Sequence, residues 1–118
     1  MKRVPLYDDT VPIVCSAGVA EIADRKATIE RMHCAATSVE RTEHGLVLGF
    51  PNRPDVEADV RQFAVDEKGC CAFWGFAVEA TPGAITLHWD GPPSVGEFLD
   101  RLLAYFNSDD PTAIDALL

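Results

Sequence analysis

Positive charge is scarce in this chain. Ten lysines and arginines stand against 19 aspartates and glutamates in 118 residues, a formal net charge of -9, and the basic residues never cluster beyond adjacent pairs such as Lys2-Arg3. Such a surface repels phosphate backbones, so no nucleic-acid partner is expected, and no basic amphipathic stretch marks a membrane surface. Long apolar runs are missing as well. No window approaches the ~18 to 20 consecutive apolar residues of a membrane span, and the opening Met1-Lys-Arg-Val-Pro-Leu-Tyr-Asp-Asp turns to charge before a signal-peptide core could form. A soluble, cytoplasmic protein is the expectation. There is no G-x-S-x-G, no H-E-x-x-H and no phosphate-cradling glycine loop, which leaves hydrolase, zinc-protease and nucleotide-binding readings without support.

Apolar residues make up 47% of the chain, enough for one domain with a real core at this length. We expect a single domain over 1–118, with its core at about 11–106 and a tail, 107–118, that frays or forms a short terminal turn. Val11-Pro-Ile-Val-Cys15 looks like a strand. Ser16 then caps a helix in which Val19, Ile22, Ala23, Lys26, Ile29 and Met32 or His33 recur at helical spacing. Thr37–Thr42 alternates, Glu43-His-Gly45 turns and Leu46–Phe50 is apolar, together a hairpin. After the Pro51–Pro54 break, a second helix runs from about Asp55 to Lys68 with Val56, Val60, Phe63, Ala64 and Glu67 along one side. Phe73–Glu79 and Ala84–Trp89 form a second hairpin about Thr81-Pro-Gly83. Last comes a helix capped by Ser94, with Glu97 completing a capping box and Val95, Phe98, Leu99, Leu102, Leu103 and Phe106 as its buried stripe. The predicted fold class is α+β: two helix-plus-hairpin units sharing an antiparallel sheet, with the C-terminal helix packed on it.

The four cysteines carry the chemistry. In a reducing compartment they read as free thiols or ligands rather than a disulfide framework, and without a C-x-x-C pair there is no structural zinc knuckle. Cys70 and Cys71 sit side by side where the second helix gives way to an aromatic strand. Adjacent side chains diverge, so this is poor packing, although buried free cysteines do serve as small hydrophobes. The layout could bring Cys15 and the pair together at one end of the sheet. Thiolates there would select soft ions such as Hg(II), Cu(I) or trivalent arsenic. The end of a helix disfavours anions, and Lys68 is the one evident helper. A soft ion would displace the thiol protons itself, which favours a metal-triggered site over a permanently reactive nucleophile. His33, His44 and His88 are scattered and read as structural, with His33 complementing the end of its helix. Trp74, Phe76 and Trp89 read as core or as the wall of a pocket near the thiols.

Cys15, then His33-Cys-Ala-Ala-Thr37, Glu57-Ala-Asp-Val-Arg-Gln62, Cys70-Cys71 before an aromatic strand, and Gly96-Glu-Phe-Leu-Asp-Arg-Leu-Leu103 occur in an order that resembles the catalytic domain of the organomercurial (alkylmercury) lyases, over most of residues 11 to 106. The Cys70-Cys-Ala-Phe-Trp-Gly-Phe76 stretch also resembles small proteins carrying E-x-x-C-C followed by aromatics. In the lyases two cysteines bind the mercury of an organomercurial and a nearby aspartate relays a proton to the leaving carbon. The resemblance implies Cys15 as the first cysteine, Cys70 as the second, Cys71 as an accessory thiol and Cys34 as a structural cysteine, a packing role its flanking alanines also suit.

The aspartate position, three residues after Cys15, holds Gly18. Loss of a proton relay costs on the order of 10² to 10⁴ in rate. Glu21, Asp24 or Glu67 could stand in, and Glu67, one turn before Cys70, reads as a solvated helix-end carboxylate. The expected function is therefore thiol-based binding of a soft metal or organometal through Cys15, Cys70 and Cys71, with no required cofactor and a small metal species as the partner. Two alternatives are an active alkylmercury lyase using Cys15 and Cys70, and a structural module with Cys70 and Cys71 buried behind Phe73 and Phe76.

Overall fold

The computed structural model describes residues 5–7, 10 and 19–116, with side chains over 24–69 and 71–114 in the long stretch. The sequence-predicted strand at 11–15, the Ser16 cap, Cys15 and Gly18 lie outside the described residues. Helix α1 spans Val19–Ala35 and is followed by β1 (Ser38–Arg41) and β2 (Gly45–Phe50). Helix α2 (Pro54–Cys70) leads into β3 (Gly75–Thr81) and β4 (Ala84–Asp90). A 3-10 turn, Pro93–Val95, introduces α3 (Gly96–Asn107), and a second, Pro111–Ala116, follows it. The two helix-plus-hairpin units are therefore present, and the hairpins join through β2 and β4 into one antiparallel sheet of order β1-β2-β4-β3.

Period-two alternation gives this sheet one apolar face. One row runs Val39, Leu48, Leu87, Val78 across all four strands, and the next runs Arg41, Leu46, Trp89, Phe76. Leu46, Leu48, Ile85 and Leu87 are fully buried, each contributing about 1.5–3 kcal/mol through removal from water. Both α2 and α3 cover this face. Phe63 of α2 meets Phe76 and Trp89 edge-on at 5.6 and 5.1 Å, while Arg41 Nε donates to Asp100 of α3 at 3.0 Å. The opposite face carries Glu40, Val47, His88 and Ala77 in register and stays half-buried or exposed.

Helix α2 starts where the Pro51–Pro54 break predicts, with Pro54 in its first turn and Asp55 and Glu57 complementing the N-terminal dipole. The predicted capping box on α3 is not formed. Ser94 lies inside the Pro93–Val95 turn, so α3 begins after Val95 with no side-chain cap. The tail takes the second of its two predicted forms: Ile114 is fully buried, and Tyr105 Oη donates to Pro111 O at 2.7 Å. His33 also works away from its own helix end, its Nε2 lying 2.9 Å from Ser108 O and 3.2 Å from Tyr105 O, which ties α1 to the end of α3.

The strand predicted from Phe73 begins at Gly75, because Phe73 and Trp74 sit in a turn closed by Trp74 N–H donating to Cys71 O at 3.1 Å. Gly75 has a specific reason to be glycine. The backbone of Leu6 crosses over it, and an added Cβ would lie 2.0 Å from the Leu6 carbonyl. Leu6 N–H is also held by the buried Asp90 carboxylate at 3.0 Å. Gly75→Ala should therefore destabilise by about 1–3 kcal/mol through forced displacement of this strap. Gly69→Ala, at an α2 position where a Cβ meets nothing within 4 Å, should stabilise by about 0.5–1 kcal/mol. Urea midpoints at constant m-value measure both, and a neutral Gly75→Ala would show that the strap is not held there.

Candidate thiol site

The last turn of α2 and the turn after it form the site. Cys70 is the final residue of α2, and Cys71 closes the helix with its N–H donating to Glu67 O at 2.8 Å. Cys71 is fully buried, in the core cluster with Phe73 and Trp74. Its sulfur is in a disulfide, which corrects the expectation of a free thiol at this position. The partner sulfur lies outside the described side chains and is not Cys34, which is free and exposed. Exposure of Cys34 overturns the packing role expected for it. Its flanking alanines are half-buried, but the thiol itself faces a cleft of about 590 Å³ shared by α1 and α2 and lined in part by Glu30, Arg31 and Asp59.

Glu67 is the second correction. It is not a solvated helix-end carboxylate: it is 3% exposed, gripped bidentately by Arg25, with Nε to Oε2 at 2.7 Å and Nη2 to Oε1 at 2.6 Å. The Trp74 side chain also favours its charged form. Burial pushes its carboxyl above the usual carboxylate range, against the opposing pull of Arg25 and Trp74. Its turn on α2 faces inward with Val56, Val60, Phe63 and Ala64, so the apolar stripe carried the position, while its partner comes from another helix. Nothing local in the sequence joins Arg25 to Glu67.

This pair also sets direction. Arg25 meets Glu67, and Arg31 meets Asp59 at 3.0 Å, so α1 runs antiparallel to α2. The start of α1 thus stands about 9 Å beyond Arg25, at 1.5 Å per residue, toward the end where α2 delivers Cys70 and Cys71. The strap at Leu6 and Tyr7 crosses Gly75, just past the same turn. The two described flanks of Cys15 therefore both lie at the cysteine end of the molecule. Lys68, expected to assist a thiolate, instead donates to the carbonyls of Ala72 and Trp74, the latter at 2.7 Å, and so braces the turn.

The aromatics divide. Trp74 and Trp89 are core residues meeting edge-on at 5.4 Å, and the buried Trp89 Nε1 has no hydrogen-bond partner among the described residues. Phe76 is half-buried and lines a shallow depression of about 330 Å³ with Leu6, Ala64, Val65 and Lys68. Among the described residues no group of three or more His, Cys, Asp and Glu could hold a metal ion, and no helix is long and apolar enough to cross a membrane. Comparison with protein-family models, with curated proteins and with solved structures gave no match.

Arg25→Met should cost about 3–5 kcal/mol at neutral pH, because it strands a buried carboxylate. A carboxyl whose folded pKa is raised above its unfolded value, near ~4.3, favours folding below that value and loses the benefit as pH rises through the folded pKa. Removing Arg25 raises the folded value further. The variant should therefore recover stability between pH 8 and pH 5 relative to the unmutated protein, as read by urea unfolding at both, and a pH-independent cost would refute this account of Glu67.

Proposed function

We propose that this chain captures a soft, thiophilic metal or organometal through Cys70 and Cys71, with Cys15 as the further thiol, acting in the cytoplasm on a small metal species rather than on a macromolecule. One observation carries the reading: the Cys71 sulfur is disulfide-bonded, which requires two of the chain's sulfurs to meet, and on reduction two meeting thiols are the donor set that soft ions prefer. The resemblance to the organomercurial lyases supports the same chemistry, as does the position of both flanks of Cys15. In a reducing compartment the disulfide would be a transient state of the site.

A second reading has its own support. Cys71 is fully buried behind Phe73 and Trp74, as a disulfide that merely staples the end of α2 would be. The lyase reading would draw its proton from Glu67, the buried acid one turn before Cys70.

All three are separated by titrating the reduced protein with phenylmercury in excess glutathione, in a Cys34→Ser background that removes the exposed thiol. Bound mercury is followed by intact mass and benzene by gas chromatography. Stoichiometric capture without benzene, lost in Cys70→Ser and in Cys71→Ser, is the expected result. Repeated benzene release that Cys70→Ser abolishes would make the protein a lyase. Capture no stronger than that of glutathione would leave the disulfide as a staple.

A further inference from the structure

The cleft of about 590 Å³ between α1 and α2 takes no part in the thiol site. It lies beside the end of α1 and the beginning of α2, whereas Cys70 and Cys71 stand at the other end of α2, about 20 Å along the helix at ~1.5 Å per residue. Its volume falls in the range of small-molecule sites, about 300–1,000 Å³.

The floor of this cleft is apolar and its charges do not balance. Met32, Val56 and Val60 are core residues that reach it from the two helices. Around them stand three carboxylates, Glu30, Asp55 and Asp59, against two guanidiniums, Arg31 and Arg53. Arg31 is engaged by Asp59, with Nε to Oδ2 at 3.0 Å and Nη2 to Oδ1 at 3.2 Å. Arg53 lies 3.6 Å from Asp55, and both side chains are open to water, at 59% and 76% exposure. Glu30 is the carboxylate left over. It is half-buried, and its side chain has no hydrogen bond or ion pair among the described residues. The Tyr105 hydroxyl does not serve it, since that group donates to Pro111 O at 2.7 Å. Burial first, and then the Glu30 charge, hold the same hydroxyl above its ordinary range, so the charge of Glu30 is felt across this end of the cleft. An uncompensated carboxylate over an apolar floor is the complement of a cation that carries an apolar body. The formal charge of -9 over the whole chain favours the approach of such a ligand.

We propose that the α1–α2 cleft binds a small organic cation, a primary amine with an alkyl or aryl body, its ammonium held by Glu30 and its body laid over Met32, Val56 and Val60. The charge-assisted hydrogen bond to Glu30 fixes orientation, and removal of the body from water adds affinity.

The test titrates isotope-labelled full chain with benzylamine and hexylamine, with the uncharged benzyl alcohol and hexanol, and with benzoate and hexanoate, following amide shifts by NMR. The amines should give saturable shifts confined to residues 27–35, 53–60 and those next to Pro111. The alcohols should bind there about tenfold more weakly, and the carboxylates not at all. Glu30→Gln should bring the amines level with the alcohols, whereas Arg53→Gln, at an exposed charge, should change amine affinity by less than about fivefold. Amines and alcohols that bind alike, or amine binding untouched by Glu30→Gln, would overturn the assignment. Tighter binding of benzoate or hexanoate, lost in Arg53→Gln, would replace it with an anion site, and no saturable shift from either amine would remove the site.

Discussion

The grip of Arg25 on Glu67 holds α1 to the last turns of α2 at a place where water scarcely reaches the carboxylate. Burying a carboxylate is costly without a partner, so this contact selects one registry between the helices and rejects a slip along the groove. With α1 set antiparallel, its beginning stands beside the end of α2. The strap over Gly75 reaches the same end. Three chain segments are thereby gathered around the turn that carries Cys70 and Cys71, on the edge of a sheet whose other members only supply an apolar floor.

That location has an electrostatic consequence. A helix C-terminus is a poor place for an isolated thiolate, and the one nearby ammonium, Lys68, is engaged by backbone carbonyls. Neutral states of the sulfur, whether disulfide, protonated thiol or a thiolate already covered by a soft cation, are the ones the site accommodates. On the proposed reading, such a site would trap an ion that brings its own positive charge rather than act as a standing nucleophile. The buried Glu67, held by Arg25, adds a second acid whose ionisation is tied to the packing of both helices rather than to solvent.

How much of this could be read along the chain follows from the range of each interaction. The two hairpins, the break before α2 and the inward face of α2 were legible because strand alternation and helical spacing are local patterns, and Leu46, Leu48, Val60 and Phe63 fall where those patterns put them. The Ser94 capping box was a sound local signal overruled by neighbouring prolines, which tightened the same residues into a 3-10 turn. Cys34 misled for a different reason: flanking alanines suggest a packed surface, but here the cysteine lies in the last turn of α1 on a side that looks onto a cleft.

Composition and periodicity were sufficient for the α+β class and for the pairing of each hairpin, since each depends on residues a few positions apart. Whether Glu67 met water or a guanidinium, whether Lys68 faced a sulfur or a carbonyl, and whether Cys71 or Cys34 was the hidden cysteine all turned on contacts across the fold. Arg25 and Glu67 are 42 positions apart, and Leu6 and Asp90 are 84. No spacing rule reaches that far, because such partners are chosen by how helices pack on a sheet once the apolar face has closed.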